Sequence, residues 1–265
     1  MAVTYDTSTV GGTWAGTSKS WVHTVAVQDD RLLIVCIATD TGYDYGNISS
    51  VTYGGVALTE AHESRLFSDG DQANLWVWYL VSPATGANWV VVSSINDEYI
   101  AMSMSYYGVH GALGGSPWTT TTQSNSYNSD YSLSLTQQTD GLIAGCATCT
   151  TGAGWHTHDA NDTETADSTG LCMFYNDGAG AQTPNGKNNE EWPAVAWGAA
   201  LWPPQAVAVD MSGVPASVSS SAKIGVIDDG NIALSMDAVT IGTMSASMGS
   251  ILVSEPLEAT MHIEL

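Results

Sequence analysis

The stretch from Val51 to Val92 constrains the fold more than any other part of the sequence. It starts as a β-branched run that meets Gly54-Gly55 and leaves as V-A-L-T, which is typical of a strand that reaches a tight turn. A dense aromatic and β-branched run, Leu75–Val81, ends at a Ser-Pro pair, and Trp89–Val92 follows at hairpin distance. The pattern predicts a strand–turn–strand–turn–strand segment.

The flanking sequence favours strands as well. No window of the 265 residues shows a sustained apolar repeat at helical spacing. Trp21–Val27 alternates apolar and polar residues, whereas Arg31–Thr39 and Gly141–Thr150 are continuous apolar runs, which predict strands that are buried on both faces or central in a sandwich. Residues 1–20 are rich in Thr, Ser and Gly and are predicted to form an arm or an edge strand. We therefore predict an all-β fold.

A double proline, Pro203-Pro204, marks a predicted domain boundary. Residues 205–265 contain no Trp, Tyr or Phe, and pieces that start at Met211 and Met236 resemble each other like a degenerate repeat. Such a segment has little to fill a core of its own. We predict a β-sandwich domain at 1–204 and a β-rich segment at 205–265 that packs on a partner in an assembly. A small sandwich and a tail that orders only in an assembly are the alternatives.

The charge balance excludes one class of partner. The chain has 5 Lys+Arg against 27 Asp+Glu, a formal net charge of −22. An acidic surface of this kind repels a phosphate backbone, which argues against nucleic acid as a partner. It favours solubility and the uptake of cations, and its simplest interpretation is a solvated acidic surface.

The sequence shows no membrane or export signal. No run of about 18 apolar residues is present, which argues against a membrane span. The first residues, M-A-V-T-Y-D, lack the basic region and the apolar core of a signal peptide. We expect the protein to be made in a cytoplasm and to leave it, if at all, by lysis, assembly or a signal-independent route.

Four cysteines occur, at Cys36, Cys146, Cys149 and Cys172. The C-x-x-C spacing of the middle two lacks the second close pair of a zinc site and the βαβ context of a thioredoxin-like motif. The favoured interpretation is that they are small, buried apolar side chains. A disulfide is the open alternative, because sequence alone cannot pair four cysteines.

Acidic loops are candidate calcium sites. The polar stretch Thr151–Thr169 is predicted to be a loop, and it holds W-H-T-H-D-A-N-D. His156 and His158 have a spacing that also suits a transition metal on a strand. The EF-hand pattern is not met, so a solvated loop is the simplest interpretation. The candidate calcium ligands are Asp69, Asp71, Asp159, Asn161 and Asp162.

The ten tryptophans suggest sugar binding, because an exposed ring can stack on a pyranose. Most are interpreted as packing residues in the core or on sheet faces, namely Trp76, Trp78, Trp89 and Trp197. Loop aromatics are better candidates, and one of them lies in the predicted loop Gly111–Ser129. The candidate stacking residues are Trp118, Trp155, Tyr43 and Tyr45.

Catalysis has little support in the sequence. No G-x-S-x-G, H-E-x-x-H or phosphate-loop motif appears. The carboxylate pairs Glu190-Glu191 and Asp228-Asp229 are adjacent in the chain, so they do not face each other across a substrate. The scarcity of Lys and Arg argues against a lyase of polyanionic glycans. A glycosidase whose acid and base come from separate strands stays open.

The order of motifs in the first 109 residues resembles a β-sandwich module. These motifs are L-L-I-V, Val51–Thr59, the run from Leu75 to Leu80, the turn with Pro83 and Gly86, V-V-V, and Gly108-Val109. That module occurs in bacteriophage virion proteins and in some bacterial secreted or surface proteins. The C-terminal stretch, with recurring M-S-x-V and alternating Ala, Ser and Val, resembles the repetitive β-rich tails of structural proteins of uncultivated phages. The resemblance implies a jelly-roll-like sandwich and transfers no active site.

We therefore expect a non-enzymatic structural protein of the virion, such as a head decoration, fibre or tail-fibre component. Its partners would be other virion proteins and copies of itself, with a trimer favoured by analogy to fibres. Its loops would recognise a host-surface glycan, with no cofactor other than calcium. The alternatives are a carbohydrate-binding module of a secreted or surface protein and a β-sandwich glycan hydrolase or lyase.

Overall fold

The computed structural model describes residues 2–39, 47–68, 71–109, 119–125, 130–149, 157–158, 162–168, 170–178, 180–187, 194–203, 223–224 and 234–235. The chain divides into two compact units, Met1–Pro204 and Gln205–Leu265. Every helix or strand assigned within the described ranges is a β-strand, so the predicted all-β fold is confirmed. None of the described residues forms a helix long and apolar enough to cross a membrane.

The first unit contains a seven-stranded antiparallel sheet. Its strands are β1 (Thr4–Val25), β2 (Leu32–Thr39), β3 (Ile48–Tyr53), β4 (Val56–Ala57), β5 (Thr59–Ser68), β6 (Asp71–Val81) and β7 (Gly86–Tyr107). The order is β4-β3-β7-β2-β6-β5, and β1 lies along the other edge of β7. β1 and β7 have 22 residues each and pair along their whole length, so they form one long ribbon.

This β1–β7 ribbon folds back on itself. The register of β1 shifts between Val10 and Gly12 and between Gly16 and Ser18, and such bulges bend a strand. Thr9 Oγ1 lies 3.0 Å from Nδ1 of His23 in the same strand, although fourteen residues of straight strand would separate them by about 46 Å. The sheet therefore closes over one of its own faces and is nearly a barrel.

The closed face encloses a core that we call the inner aromatic core. It receives side chains from β1, β2, β3, β6 and β7, and it is rich in Trp and Tyr. Trp14 stacks on Tyr99, with ring centroids 5.0 Å apart, and Trp76 meets Tyr99 edge-on at 6.3 Å. Its buried residues are Trp14, Trp21, Val25, Leu33, Val35, Ile37, Ile48, Val51, Tyr53, Leu58, Trp76, Trp78, Val90, Val92, Tyr99 and Ala101.

A five-stranded antiparallel sheet packs against the opposite face of the seven-stranded sheet. The remaining strands of the first unit are β8 (Thr119–Asn125), β9 (Asp130–Ser132), β10 (Leu135–Gln137), β11 (Leu142–Cys149), β12 (Thr157–His158), β13 (Asp162–Ser168), β14 (Leu171–Asn176), β15 (Gly180–Gln182), β16 (Asn185–Lys187) and β17 (Ala194–Leu201). The five-stranded sheet has the order β13-β14-β11-β17-β8. Two small sheets, β12-β16-β9 and β10-β15, complete the described strands of this unit.

The space between the two large sheets is filled by what we call the sandwich core. Its buried residues are Val3, Leu32, Ile34, Cys36, Ala38, Ala73, Leu75, Val77, Ile100, Met102, Met104, Tyr106, Val109, Leu142, Ala144, Cys146, Leu171, Met173, Val195, Trp197, Ala199 and Leu201. β2 contributes to both cores, because Ile34 and Cys36 face the sandwich core while Leu33 and Val35 face the inner aromatic core. The prediction that the run Arg31–Thr39 is buried on both faces is therefore confirmed for β2.

Two polar stretches predicted to be loops contain strands, and that prediction is wrong for those residues. β8 lies inside 111–129, and β13 lies inside 151–169. They form the two edges of the five-stranded sheet, pairing with β17 and β14. An edge strand has a partner on one side only and tolerates polar residues along its length, so hydrophobic patterning does not reveal it.

In the second unit the described residues are β18 (Lys223–Ile224) and β19 (Leu234–Ser235), which pair antiparallel. The role of residues 205–265 in assembly stays a prediction.

Candidate functional site

Most residues predicted as ligands lie outside the described ranges. This holds for the stacking candidates Tyr43, Tyr45, Trp118 and Trp155 and for the calcium candidates Asp69, Asp159 and Asn161. Asp71 and Asp162 are the first residues of β6 and β13. Among the described residues, no three His, Cys, Asp or Glu side chains are grouped closely enough to hold a metal ion. The calcium and stacking assignments at these positions stay predictions.

The four tryptophans predicted to pack in the core or on sheet faces divide into two kinds. Trp76, Trp78 and Trp197 are buried in the two cores, as predicted. Trp89 also lies on a sheet face, but 57% of its surface is exposed. It is therefore the one of these four that a ligand can reach.

A polar network lies inside the fold of the β1–β7 ribbon. His23, Ser103 and Ser105 are fully buried there. His23 Nε2 lies 3.1 Å from Ser105 Oγ, and His23 Nδ1 lies 3.0 Å from both Thr9 Oγ1 and Ser103 Oγ. Ser105 Oγ donates to Asp6 Oδ2 over 2.7 Å, and the same carboxylate oxygen accepts the Ala26 N–H over 2.9 Å.

These contacts assign the protons of the network. Because Ser105 donates to Asp6, it accepts from His23, so the ring carries its proton on Nε2. Nδ1 then accepts a hydroxyl proton from Thr9 or from Ser103, and Ser103 itself accepts the Trp21 Nε1–H over 3.0 Å and also lies 3.5 Å from the Thr9 carbonyl oxygen. From His23 onward the hydrogen bonds run in one direction, from the ring through Ser105 to the Asp6 carboxylate, an arrangement in which neighbouring bonds strengthen each other.

The neutral imidazole fits its surroundings. Burial lowers the pKa of His23 to about 4, and the nearby Asp6 carboxylate opposes this shift only in part. Tyr53 adds a further link, since its hydroxyl contacts the carbonyls of Gly86 at 3.0 Å and His23 at 3.3 Å. Burial also raises the pKa of Tyr53, so the phenol stays a donor at neutral pH.

The network has the residue types of a Ser-His-Asp triad, but its hydrogen bonds connect them in a different order. In a triad the carboxylate accepts from the histidine, which in turn takes the serine proton. Here Asp6 accepts from Ser105 itself, and Ser105 has no exposed surface. The hydroxyl is neither activated nor reachable, so these residues fasten the two halves of the ribbon together.

Sequence reasoning missed this network, although a weak signal was present. Ser103 and Ser105 alternate with buried methionines in β7, and His23 interrupts the alternating run of β1. Polar residues that occupy inward-facing positions in two neighbouring strands are expected to hydrogen-bond to each other, because buried polar groups need partners. That neighbourhood depends on a ribbon fold that the sequence pattern does not show.

Cys36 and Cys146 face each other across the sandwich core, and Cys172 is buried against the other side of the five-stranded sheet. All three are free thiols, as the favoured interpretation predicted for them. Burial and the neighbouring Cys36 thiol raise the pKa of Cys146, so the thiol stays protonated and unreactive.

The outward face of the ribbon carries an exposed aromatic platform. Trp89 in β7 lies directly opposite Val22 in β1, and 57% and 42% of their surfaces are exposed. On the other side, the Trp89 carbonyl accepts the Gly54 N–H over 2.9 Å, so the Gly54-Gly55 turn, which has no side chains, lies beside the Trp89 backbone. We call this surface the Trp89 face, and it consists of Ser20, Val22, Thr24, Ala87, Trp89 and Val91.

Comparison with protein families, curated proteins and solved structures gives no match for this chain. Its function is therefore inferred from its own residues.

Proposed function

We propose that this chain is a non-enzymatic structural protein of a bacteriophage particle. In this proposal the Met1–Pro204 unit is displayed on the particle. Residues 205–265 bind other copies of the chain or neighbouring virion proteins through added strands. The protein serves as a head decoration, fibre or tail-fibre component, and a trimer is favoured by analogy to fibres.

The contrast between the two units supports this proposal. The described central strands of Met1–Pro204 have their apolar faces covered within the unit, mainly in the sandwich core and the inner aromatic core. Gln205–Leu265 has no Trp, Tyr or Phe with which to fill a comparable core. Alternating small side chains suit strands that are completed by a partner. A self-sufficient unit joined to one that needs a partner is what a displayed and anchored protein requires.

Light scattering tests this division of roles. The solution mass of the full chain is compared with that of a version ending at Pro204, and circular dichroism checks that both are folded. We expect an oligomer for the full chain and a folded monomer for the shorter one. Two monomers would contradict assembly through residues 205–265.

Calcium is tested in the same samples. The predicted acidic sites imply that calcium chloride raises the unfolding temperature of the full chain, because a ligand that binds only the folded state stabilises it. Magnesium chloride at equal ionic strength is the control for nonspecific screening of the −22 charge. Equal effects of the two salts would contradict a specific calcium site.

A carbohydrate-binding module is the second candidate, and the exposed Trp89 is the observation that favours it. In that case both chain lengths would be monomers and both would bind a glycan. The two candidates share glycan recognition and differ in assembly.

A further inference from the structure

We propose that the Trp89 face is a binding site for a neutral saccharide, with one pyranose ring stacked on the indole of Trp89. This rests on the proposed function only in so far as a displayed protein needs a surface that recognises its host. The site differs from the predicted loop aromatics, because it lies on the regular strands of the ribbon.

The size of the exposed apolar surface favours a small, flat ligand over a protein. Trp89 is 57% exposed and Val22 is 42% exposed, which together leave roughly 200 Å² of contiguous apolar surface. A stable protein interface needs about 800 Å² on each partner. One sugar ring, with an apolar face of C–H groups, matches the area that the indole and the valine present.

The surroundings of the indole supply partners for sugar hydroxyls. Ser20 lies opposite Val91 and Thr24 lies opposite Ala87, so both hydroxyl side chains are diagonal neighbours of Trp89. Diagonal neighbours in an antiparallel pair are about 7–8 Å apart, which places the two hydroxyls on either side of a ring centred on the indole. Both side chains are exposed, so they can exchange water for ligand hydroxyls.

The platform is held rigidly from behind. Val90 and Val92, the residues that alternate with Trp89, are fully buried in the inner aromatic core. Asn88, next to Trp89, donates to the Thr85 carbonyl over 3.3 Å. A preformed flat surface loses little conformational freedom when a ligand binds, which favours binding by stacking.

Charge selects the class of saccharide. The cross-strand and diagonal neighbours of Trp89 on β1, namely Val22, Ser20 and Thr24, are uncharged. The chain as a whole carries a formal charge of −22, which repels sialic acids, uronic acids and sulfated sugars. The ligand is therefore a glycan of neutral hexoses or N-acetylhexosamines.

The test uses full-length chain and calorimetric titration with hexasaccharides of glucose, mannose and N-acetylglucosamine. An oligomer of galacturonic acid is the anionic counterpart. We expect at least one neutral oligomer to bind and the anionic one to bind at least about tenfold more weakly.

Trp89→Ala should weaken binding about tenfold or more, as for a tryptophan that anchors an interface, and Trp89→Phe should have an intermediate effect. Val56→Ala, an exposed apolar residue of β4, is the matched control and should bind like the wild type.

Nuclear magnetic resonance locates the contact directly. Of the ten indole N–H signals of the chain, the one missing in Trp89→Phe belongs to Trp89, and it should shift as the neutral oligomer is added. No binding of any neutral oligomer, binding that survives Trp89→Ala, or equal binding of galacturonate would overturn the proposal. A fall in solution mass for Trp89→Ala would also overturn it, because the face would then be a contact between copies. Loss of assembly on removal of residues 205–265 bears on the proposed function and leaves this result unaffected.

Discussion

The two largest cores of the described first unit are built from different side chains, although they share strands β2, β6 and β7. The sandwich core is mostly Leu, Ile, Val, Ala, Met and Cys, side chains that fill the roughly 10 Å between two stacked sheets. The inner aromatic core contains Trp14, Trp21, Trp76 and Trp78 together with two tyrosines, and the buried His23 network lies beside it. A sheet that folds over itself needs large side chains to span its interior, and hydrogen bonds to fasten its two halves.

This comparison is tested first by truncating neighbouring residues that enter different cores. Leu75 faces the sandwich core and Trp76 faces the inner aromatic core, and no more than 1% of the surface of either residue is exposed. We expect Trp76→Ala to lower the free energy of unfolding by about 3–5 kcal/mol and Leu75→Ala by about 2–5 kcal/mol. Urea denaturation measures both values.

The exposed Trp89 provides the control for this pair. Trp89→Ala removes the same side chain from a solvent-facing position and should change the free energy of unfolding by no more than about 0.5 kcal/mol. If Trp76→Ala or Leu75→Ala were as harmless as Trp89→Ala, the sheet face beneath that residue would not be covered.

The buried His23 beside the inner aromatic core predicts that the free energy of unfolding depends on pH. The pKa of His23 is about 4 in the folded chain and 6.5 in the unfolded one, so the unfolded chain binds the proton first as the pH falls. The contribution of the neutral His23 to the free energy of unfolding is fully present above about pH 6.5 and is lost as the pH falls to about 4. It amounts to about 3 kcal/mol at most.

Denaturation of wild type and His23→Gln at pH 7 and pH 4 isolates this contribution. Glutamine can both donate and accept a hydrogen bond but does not titrate in this range. We expect the wild type to lose about 3 kcal/mol more than the variant between the two pH values. His62→Gln is a comparison and not a neutral control, because burial also lowers the pKa of the half-buried His62 and its loss of stability on acidification has the same sign. Parallel losses in wild type and His23→Gln would show that folding does not lower the pKa of His23.

The sandwich core could be predicted from the sequence, whereas the inner aromatic core could not. A continuous apolar run such as that of β2 has no polar face to expose, so it had to be covered on both sides. The sequence did not show that the second cover is the same sheet folded back. That fold depends on bulges in β1, between residues that have no apolar pattern of their own.

The candidate site was missed for a related physical reason. Alternation shows that Trp89 and Val90 point to opposite faces, but it does not say which face meets solvent. A tryptophan next to three valines favours burial by composition, and only the position of β7 in the folded ribbon turns the indole outward. The sequence favours the loop aromatics instead, because loops usually lie on the surface.

Gly11 tests how closely the two halves of the ribbon approach. A Cβ atom at this position would lie 2.8 Å and 2.9 Å from ring carbons of Trp21 and 3.0 Å from the Ala101 carbonyl oxygen. We expect Gly11→Ala to destabilise the protein by about 1–3 kcal/mol through overpacking, as measured by thermal unfolding.

A double variant separates overpacking from backbone effects. If the clash with Trp21 is the cause, Gly11→Ala combined with Trp21→Leu should cost less than the sum of the two single changes. Gly55→Ala is the comparison for backbone strain, since Gly55 has a φ of +85° and an added Cβ would meet nothing within 4 Å. Strict additivity of the Gly11 and Trp21 changes would contradict a close approach of the two halves.

The smallest effect is expected at the exposed edge of the inner aromatic core. Glu63 and Arg65 form an ion pair on β5, with side chains that are 35% and 38% exposed, and the Arg65 guanidinium lies 5.9 Å from the Trp76 ring centroid. An exposed pair gains little in water, so Glu63→Gln should change the free energy of unfolding by less than about 0.5 kcal/mol.

Arg65→Met keeps an apolar chain over the ring but removes the charge, and it should cost about 0.5–1 kcal/mol. Sodium chloride at 1 M screens the ion pair. If it lowered the stability of the wild type to that of Arg65→Met, the charge of Arg65 would stabilise the protein through the ion pair and not through the Trp76 ring. Equal stability of that variant with and without salt, below the wild type in both, would instead show that the cation closes the core by contact with Trp76.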